Sequence, residues 1–351
     1  MRPIARLAGR IALSNFTDLG SPYKITYALT SRCQFRCSMC SIWRQEPAPE
    51  LTAAEISEFF RRSGGFSWIN LSGGEIFLRP DLREIVASIA AHCRGVYLLN
   101  FPTNGYLTET IVGTVAEVTA SLRLPRLMVT VSLDGPPELH DRIRGVAGSW
   151  GRAVETFRLL RRIKTVRFGV YFGMTLQDAN ADAFEETVSS VREEIGDIRN
   201  EDFHVNVLHT SGHYYRNTEC GGIRRPQKIR EGLGRIRRLR KSPVFSPVAF
   251  LERRYQSMAE EYLTTGMNPV GCQALSASFF MDPAGTVYPC TIFDSPIGNV
   301  RDYGYALGDL WRSERRLAAR REVVKGNCPH CWTPCEAYQS ILANVVPGFR
   351  T

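Results

Sequence analysis

Long hydrophobic runs are absent from this chain of 351 residues. No apolar stretch approaches the ~20 residues a membrane-spanning helix needs. The N-terminus carries arginines but neither an apolar h-region nor a small-residue cleavage site, so it does not read as a secretory signal. Low-complexity tracts and internal repeats are missing too, which excludes fibrous and disordered classes. Histidine is scarce, with six residues, and the first of them is His92. The remaining composition, 44% hydrophobic and 23% charged, is that of an ordinary globular protein. The length suits two domains, or one large barrel with an appendage.

What is present in excess is concentrated. The net charge is +9, and the stretch from Arg224 to Lys241 holds nine basic residues and one acid, Glu231. Such a segment is either a solvated linker helix or an attractor for an anionic partner. No aromatic residues interleave with it, so neither DNA nor RNA is the expected partner. The ten cysteines also bunch, with three in residues 33–40 and three in residues 328–335. Clusters of that spacing in a chain without a secretory signal read as metal or iron–sulfur sites, not as a disulfide framework.

Strand and helix patterns alternate along the first two thirds. Short β-rich runs fall at Ile25–Thr30, Phe66–Leu71, Gly95–Phe101, Leu127–Leu133, Val166–Met174 and Phe203–Leu208. Helical patterns separate them, the first opening on the capping box Thr52-Ala-Ala-Glu55. Six β/α units predict a parallel sheet with right-handed crossovers, and they suit an open, partial (β/α)6 barrel better than a closed eightfold one. The fold class expected is therefore α/β, with a small C-terminal domain of a β-hairpin plus helices. In that domain Ser276–Met281 and Thr286–Cys290 flank the turn Asp282-Pro-Ala-Gly285, with helical stretches at about 306–324 and 335–346. The divisions expected are a basic amphipathic extension (1–24), a core (25–215), a basic helical linker (216–268) and the C-terminal domain (269–351). The extension either packs on the core or rests on a membrane surface as a peripheral contact.

Cys33-Gln-Phe-Arg-Cys37-Ser-Met-Cys40 follows the first strand directly. Thiolate-only ligation selects zinc or an iron–sulfur cluster. Structural zinc wants four protein ligands, and no fourth is near. Three ligands leave one iron open. A Cx3Cx2C motif after the first strand of a β/α series resembles the radical S-adenosylmethionine (radical SAM) superfamily. That resemblance implies a [4Fe–4S] cluster on Cys33, Cys37 and Cys40, with SAM on the open iron. It further implies reductive cleavage of SAM to a 5′-deoxyadenosyl radical that abstracts a hydrogen atom.

Further segments resemble the family in order. Ser72-Gly73-Gly74-Glu75 is similar to its GGE turn, Thr103-Asn104-Gly105 to its TNG segment, and Ser132-Leu133-Asp134-Gly135 to the end of its fourth strand. His140-Asp141-Arg142-Ile143-Arg144-Gly145 resembles the stretch that follows. The cofactor-binding residues implied are Gly73, Gly74, Glu75 (for the ammonium of SAM), Asn104, Ser132, Asp134 and Arg144. Met39 stands where the family usually has an aromatic residue near the adenine. Phe35 or Trp43 are the available substitutes.

Cys272, Cys290, Cys328, Cys331 and Cys335 resemble the SPASM and twitch domains, which carry auxiliary clusters. No Cys follows Cys335, so five cysteines allow one auxiliary [4Fe–4S] cluster. Cys272 and Cys290 are its surest ligands; which of Cys328, Cys331 and Cys335 is spare is left open, with His330 as a remote alternative. Cys93 and Cys220 read as ordinary structural thiols. His209, His213 and Tyr214, just beyond the sixth strand, are candidate catalytic groups for proton or radical relay.

The reading is an enzyme acting on a small, anionic sugar- or lipid-like substrate, for two reasons. The charge is concentrated, and Cys33 leaves no room ahead of it for a leader-peptide-binding domain. The alternatives are a peptide-modifying enzyme with a separate leader-binding partner and a non-catalytic iron–sulfur electron carrier. An external reductant such as flavodoxin or ferredoxin is implied, as is a cytoplasmic location, where thiols stay reduced.

Overall fold

The computed structural model describes residues 2–46, 49–240 and 247–346. Lys241, the last of the basic stretch, lies outside them. Helix α1 (Pro3–Ser14) precedes strand β1 (Lys24–Thr30), α2 (Ala53–Ser63), β2 (Trp68–Gly73), α3 (Leu82–His92), β3 (Leu98–Thr103), α4 (Thr108–Ser121) and β4 (Arg126–Ser132). Then come α5 (Pro137–Arg144), α6 (Ser149–Leu160), β5 (Phe168–Leu176), α7 (Phe184–Ile195) and β6 (Phe203–Val207). The chain continues through α8 (Pro226–Leu239), α9 (Pro247–Thr265), β7 (Ser278–Met281), β8 (Thr286–Tyr288) and β9 (Gly298–Asn299). It closes with α10 (Leu307–Arg312), α11 (Glu314–Lys325) and α12 (Pro334–Leu342).

The six expected strands are all present and run parallel in the order β6-β5-β4-β3-β2-β1. β2 and β3 start later than the apolar pattern suggests because Phe66 and Val96 are buried loop anchors of the core, not strand residues. The capping box forms as expected: Thr52 Oγ1 accepts the Glu55 N–H at 3.2 Å, and the Glu55 carboxylate accepts the Thr52 N–H at 2.9 Å. The helical stretch at 306–324 is two helices, because extended Ser313 ends α10 and its hydroxyl caps α11.

The C-terminal hairpin does not stand apart. β7 pairs in parallel with β1, from Lys24 opposite Ser278 to Tyr27 opposite Met281, and β8 and β9 extend the same nine-stranded sheet antiparallel. β1 thereby lies between β2 and β7, and all seven of its residues are buried. With both faces covered, even its Lys24 is buried and is held by Cys335 and Gln339.

Helix α1 packs Leu7 and Ile11 against Leu19, Tyr23 and Ala277 at the base of β1. Arg6 donates to the Gly65 carbonyl at 3.2 Å and Arg10 to that of Ser21, so both arginines are spent on the protein. Among the described residues no helix is long and apolar enough to cross a membrane. The basic helix α8 lies on the outside. Its Lys228 and Arg235 both pair with Asp182, and Arg237 pairs with Glu260 at 2.8 Å.

Candidate active site

A cavity of about 370 Å³ opens at the C-terminal ends of β1–β6 and runs into the lumen of the partial barrel. Cys33, Cys37 and Cys40 all line it. Their loop is suspended by backbone bonds from distant elements. The Arg36 N–H donates to Arg144 O at 3.2 Å, Ser38 N–H to Ile143 O at 2.8 Å, and Ser41 N–H to Tyr215 O at 2.8 Å. Gly145 ends α5 in the left-handed region, and a Cβ there would lie 2.5 Å from the Arg36 carbonyl. The glycine is what lets α5 and the cysteine loop touch.

Burial raises the thiols of Cys33 to about 11 and Cys40 to about 12, and raises that of Cys37 against the opposing charge of Arg144. Three thiols facing one cavity would be neutral on their own, and a bound metal cluster supplies the charge that turns them into ligands. Among the described residues no three of His, Cys, Asp or Glu converge as a single metal ion would require. A cluster, in which each thiolate takes a different iron, asks for a wider spread. The donor set therefore fits a three-thiolate iron–sulfur cluster.

Gly73 and Gly74 line the cavity, and a Cβ on Gly74 would run into the Arg32 carbonyl at the start of the cysteine loop. Glu75 is not among the lining residues. Its carboxylate is fully buried and accepts from Thr103 Oγ1 at 3.0 Å and from the Asn104 N–H at 2.7 Å. Burial dominates and raises its pKa to about 7. In this geometry Glu75 orders the Thr103-Asn104 turn; it does not present a free carboxylate to an ammonium group. Asn104 does face the cavity, and its Nδ2, on a residue 7% exposed, has no partner. Such an orphaned donor suits a bound polar cofactor.

Ser132 lines the cavity, whereas Asp134 lies behind the wall. Asp134 accepts the Thr175 N–H at 2.8 Å and pairs with Arg144 at 2.5 Å. The other edge of the Arg144 guanidinium is 3.9 Å from Cys37 Sγ. Asp134 is thus a holder of Arg144, not a direct ligand. His140 and Asp141 are structural: His140 Nδ1 accepts the Asp134 N–H at 3.1 Å, and Asp141 caps α6 through Trp150 N–H at 2.8 Å. Met39 lies in the lining with Gln177 Nε2 3.3 Å from its sulfur. Phe35 also lines the cavity; Trp43 does not, and is sandwiched by Arg36 and Arg44.

His209 lines the cavity as well, and both it and His213 are tied to the C-terminal domain. His209 Nδ1 lies 2.8 Å from Val207 O, and Nε2 accepts the Trp332 N–H at 2.8 Å. Burial lowers its pKa to about 4. Both ring nitrogens are occupied, and the ring acts as a strut. His213 bonds the Cys290 carbonyl through Nε2 at 3.1 Å and stacks on Tyr288, which makes it a strut too. Tyr214 lines the cavity, with its hydroxyl 2.8 Å from Ser72 Oγ.

Cys272, Cys290 and Cys331 gather in a separate small cluster with Tyr215 and Phe293. A hydrogen bond between Cys290 and Cys331 pulls the Cys331 thiol down and pushes the Cys290 thiol up. Phe293 N–H donates to Cys290 Sγ at 3.2 Å and Ala274 N–H to Cys272 Sγ at 3.4 Å. Cys328 is half-buried three residues before Cys331. Cys335 instead lines the large cavity. Cys93 is a core residue, and Cys220 lies against the Ser38 carbonyl outside the cavity.

Sequence reasoning missed Asn217. Asn217 Nδ2 donates to Met39 O at 2.8 Å and to His209 O at 2.9 Å, locking the segment after β6 to the cysteine loop. Tyr215 packs against two clusters: one of Ala28, Ile42, Tyr214 and Phe280, on which Cys33 and Cys40 also pack, and one that contains Cys290 and Cys331. No local spacing marks Asn217.

Residues 27–191 match the family model described as the radical SAM superfamily, and residues 272–332 match the SPASM iron–sulfur cluster-binding domain. Residues 27–191 therefore form a radical SAM domain, and a SPASM-type domain follows it in the chain. These two domains imply a [4Fe–4S] cluster, SAM and auxiliary iron–sulfur. The chain is 28% identical to the subtilosin biosynthesis protein AlbA of Bacillus subtilis, over 45% of this chain and 36% of that protein. It is 34% identical to the mycofactocin maturase MftC of Mycobacterium ulcerans, over 40% of this chain and 37% of that protein. These matches span well under half of either relative. A longer match, 26% identical over 92% of this chain and 84% of the relative, is with the AdoMet-dependent heme synthase of Oleidesulfovibrio alaskensis. In fold it is similar to Streptococcus suis SuiB bound to S-adenosylmethionine, at 14% identity, 88% and 70% coverage and a TM-score of 0.62.

Proposed function

We propose that this protein is a radical SAM enzyme that modifies a peptide. The observation that carries the first half is the cavity shared by Cys33, Cys37 and Cys40 with Gly73, Gly74, Asn104, Ser132 and Arg144. Cys33, Cys37 and Cys40 would hold a [4Fe–4S] cluster, which would supply the electron for reductive cleavage of SAM and so the means to abstract hydrogen from a substrate C–H. The chain's own part is to bind, orient and exclude. Arg144, pinned by Asp134, holds positive charge beside Cys37. Asn104 and Ser132 offer polar contacts to SAM, Gly73 and Gly74 let backbone approach it, and Phe35 and Met39 supply apolar wall. Cys272, Cys290 and two further cysteines would hold one auxiliary [4Fe–4S] cluster.

The peptide half rests on charge. No described residue of the basic segment lines the cavity, and among the described residues the only arginine or lysine that does, Arg144, is paired with Asp134. The rest of the lining is a largely apolar wall with uncharged polar groups such as Asn70, Asn100, Thr130 and Asn206. Such a wall gives an anionic small molecule little to pair with. Relatives named for subtilosin, sporulation killing factor and mycofactocin point the same way. The near-full-length similarity to a heme synthase favours a porphyrin substrate as the second reading.

Anaerobic reconstitution should give about eight irons per chain and 5′-deoxyadenosine on reduction with SAM. Cys33→Ala should abolish 5′-deoxyadenosine, and an unchanged yield would refute the cluster assignment. Cys290→Ala should lose about half the iron. Precursor peptides encoded beside the gene, and a carboxylated porphyrin in parallel, are then incubated with the enzyme. A SAM-dependent mass change in a peptide supports the reading; a change in the porphyrin alone overturns its peptide half.

A further inference from the structure

We propose that Cys335 is a hydrogen-atom donor of the substrate cavity and not a ligand of the auxiliary cluster; this rests on the radical SAM reading above. Three observations carry it. First, the cysteines of the C-terminal domain part company. Cys272, Cys290 and Cys331 pack together with Tyr215, Ile292 and Phe293, whereas Cys335 lines the cavity that holds Cys33, Cys37 and Cys40.

Second, Cys335 is fixed where it is. Pro334 opens α12 and Cys335 follows it. The buried Lys24 ammonium donates to the Cys335 carbonyl and, at 2.6 Å, to Gln339 Oε1 one turn later. Gln339 Nε2 returns to the same carbonyl at 2.7 Å. The first turn of α12 is thus tied to β1, so the thiol stays with the lumen. Cys272, Cys290, Cys328 and Cys331 remain, which is the four-thiolate complement of one [4Fe–4S] cluster.

Third, the wall around Cys335 is prepared for a ligand. Thr26 Oγ1, on a residue 1% exposed, faces the same cavity beside the Cys335 thiol and has no other hydrogen-bond partner. Asn100 Oδ1 and His204 Nε2 are likewise buried, unpartnered and on residues of the lining. Buried polar atoms left open in this way are satisfied by something bound. The lumen beneath Cys335 therefore takes an uncharged group with hydrogen-bonding capacity, such as a backbone amide or a hydroxyl or carboxamide side chain.

The step balances as follows. The substrate carbon radical takes the hydrogen atom of the Cys335 S–H; one C–H bond forms, one S–H bond breaks, and the sulfur is left as a thiyl radical. One electron from a one-electron donor of the ferredoxin or flavodoxin class and one solvent proton restore the thiol. At the reacting carbon the net change is redox-neutral, as in inversion of a stereocentre, and SAM is consumed.

The test uses the full, anaerobically reconstituted chain with SAM and dithionite in D₂O, without substrate. The Cys335 thiol then carries deuterium, and quenching of the uncoupled radical by it places deuterium in 5′-deoxyadenosine. The expected result is a deuterated fraction in the wild type that is lost in Cys335→Ser. In the same preparation iodoacetamide should label Cys335 while Cys272, Cys290, Cys328 and Cys331 are protected, and Cys335→Ser should keep wild-type iron content. Equal deuteration in both proteins would overturn the donor role. Protection of Cys335, with iron lost in Cys335→Ser as in Cys290→Ser, would make it a ligand after all. No 5′-deoxyadenosine from the wild type would instead overturn the radical SAM reading beneath the proposal.

Discussion

His209 Nε2 accepts the backbone N–H of Trp332 at 2.8 Å, while its Nδ1 lies 2.8 Å from the carbonyl of Val207. One imidazole thereby joins the end of β6 to the cysteine loop ahead of α12. Trp332 and Tyr255 reinforce the joint, the indole donating to Tyr255 O at 2.8 Å and the phenol to Trp332 O at 3.0 Å. The core and the C-terminal cysteines are therefore one packed unit around this ring.

The ring must be neutral for Nε2 to accept, which gives a pH signature. Unfolded histidine titrates near 6.5, but burial holds His209 to about 4. Between those values the unfolded chain binds the extra proton, so this group's contribution to stability is full above pH 6.5 and falls as pH drops toward 4. The loss amounts to at most about 3 kcal/mol. Thermal melting of the apoprotein from pH 7.5 to 5 should show a steeper fall for the wild type than for His209→Gln. Parallel curves would mean the ring is not held neutral.

Asp134 is expected to matter through Arg144. Asp134→Ala strands a buried guanidinium, at a cost of ~3–5 kcal/mol. It also orphans the Thr175 N–H. Asp134→Asn keeps an acceptor for Thr175 and should recover part of the loss in urea denaturation. A stability of Asp134→Ala within ~0.5 kcal/mol of wild type would contradict the pairing.

Glu75 has the opposite pH sign to His209. Its folded pKa is raised from 4.5 to about 7, so the fold loses stability as pH rises through that window. Glu75→Gln misplaces an amide against the Asn104 N–H but removes the titration. Its melting deficit relative to wild type should be larger at pH 5 than at pH 8. A deficit that is constant with pH would show that the carboxyl is ordinary.

Gly74→Ala should damage the site without touching a thiol. The new Cβ meets the Arg32 carbonyl, a backbone atom that cannot swing away. The cysteine loop must shift, and the variant should retain less iron and bind SAM more weakly while melting cooperatively. Wild-type iron content would show that the loop tolerates displacement.

Much of the fold was legible locally. The six strands follow from short apolar runs between turn residues, and the Thr52 capping box starts α2 where its spacing says. Cys33, Cys37 and Cys40 face one cavity, as three close-spaced thiols in a strand-ending loop should. Less legible were the places where a residue type has two uses. His209 and His213 sit on the correct face of the barrel, yet their nitrogens are consumed by a backbone N–H and a carbonyl from the C-terminal domain. The basic run at 224–241 looked like a substrate attractor, but its described residues lie outside the cavity, three of them paired with Asp182 and Glu260.

By itself the sequence determined the periodicities, the caps and the order of cysteine clusters, because each depends on residues a few positions apart. Only the tertiary structure decided that β7 joins β1 in parallel, that Glu75 turns to Asn104, and that Cys335 leaves the other C-terminal cysteines for the barrel lumen. Those outcomes depend on burial and hydrogen bonding between segments far apart in the chain, such as Lys24 with Cys335 and Gln339. No local pattern encodes which distant backbone group a buried side chain will find.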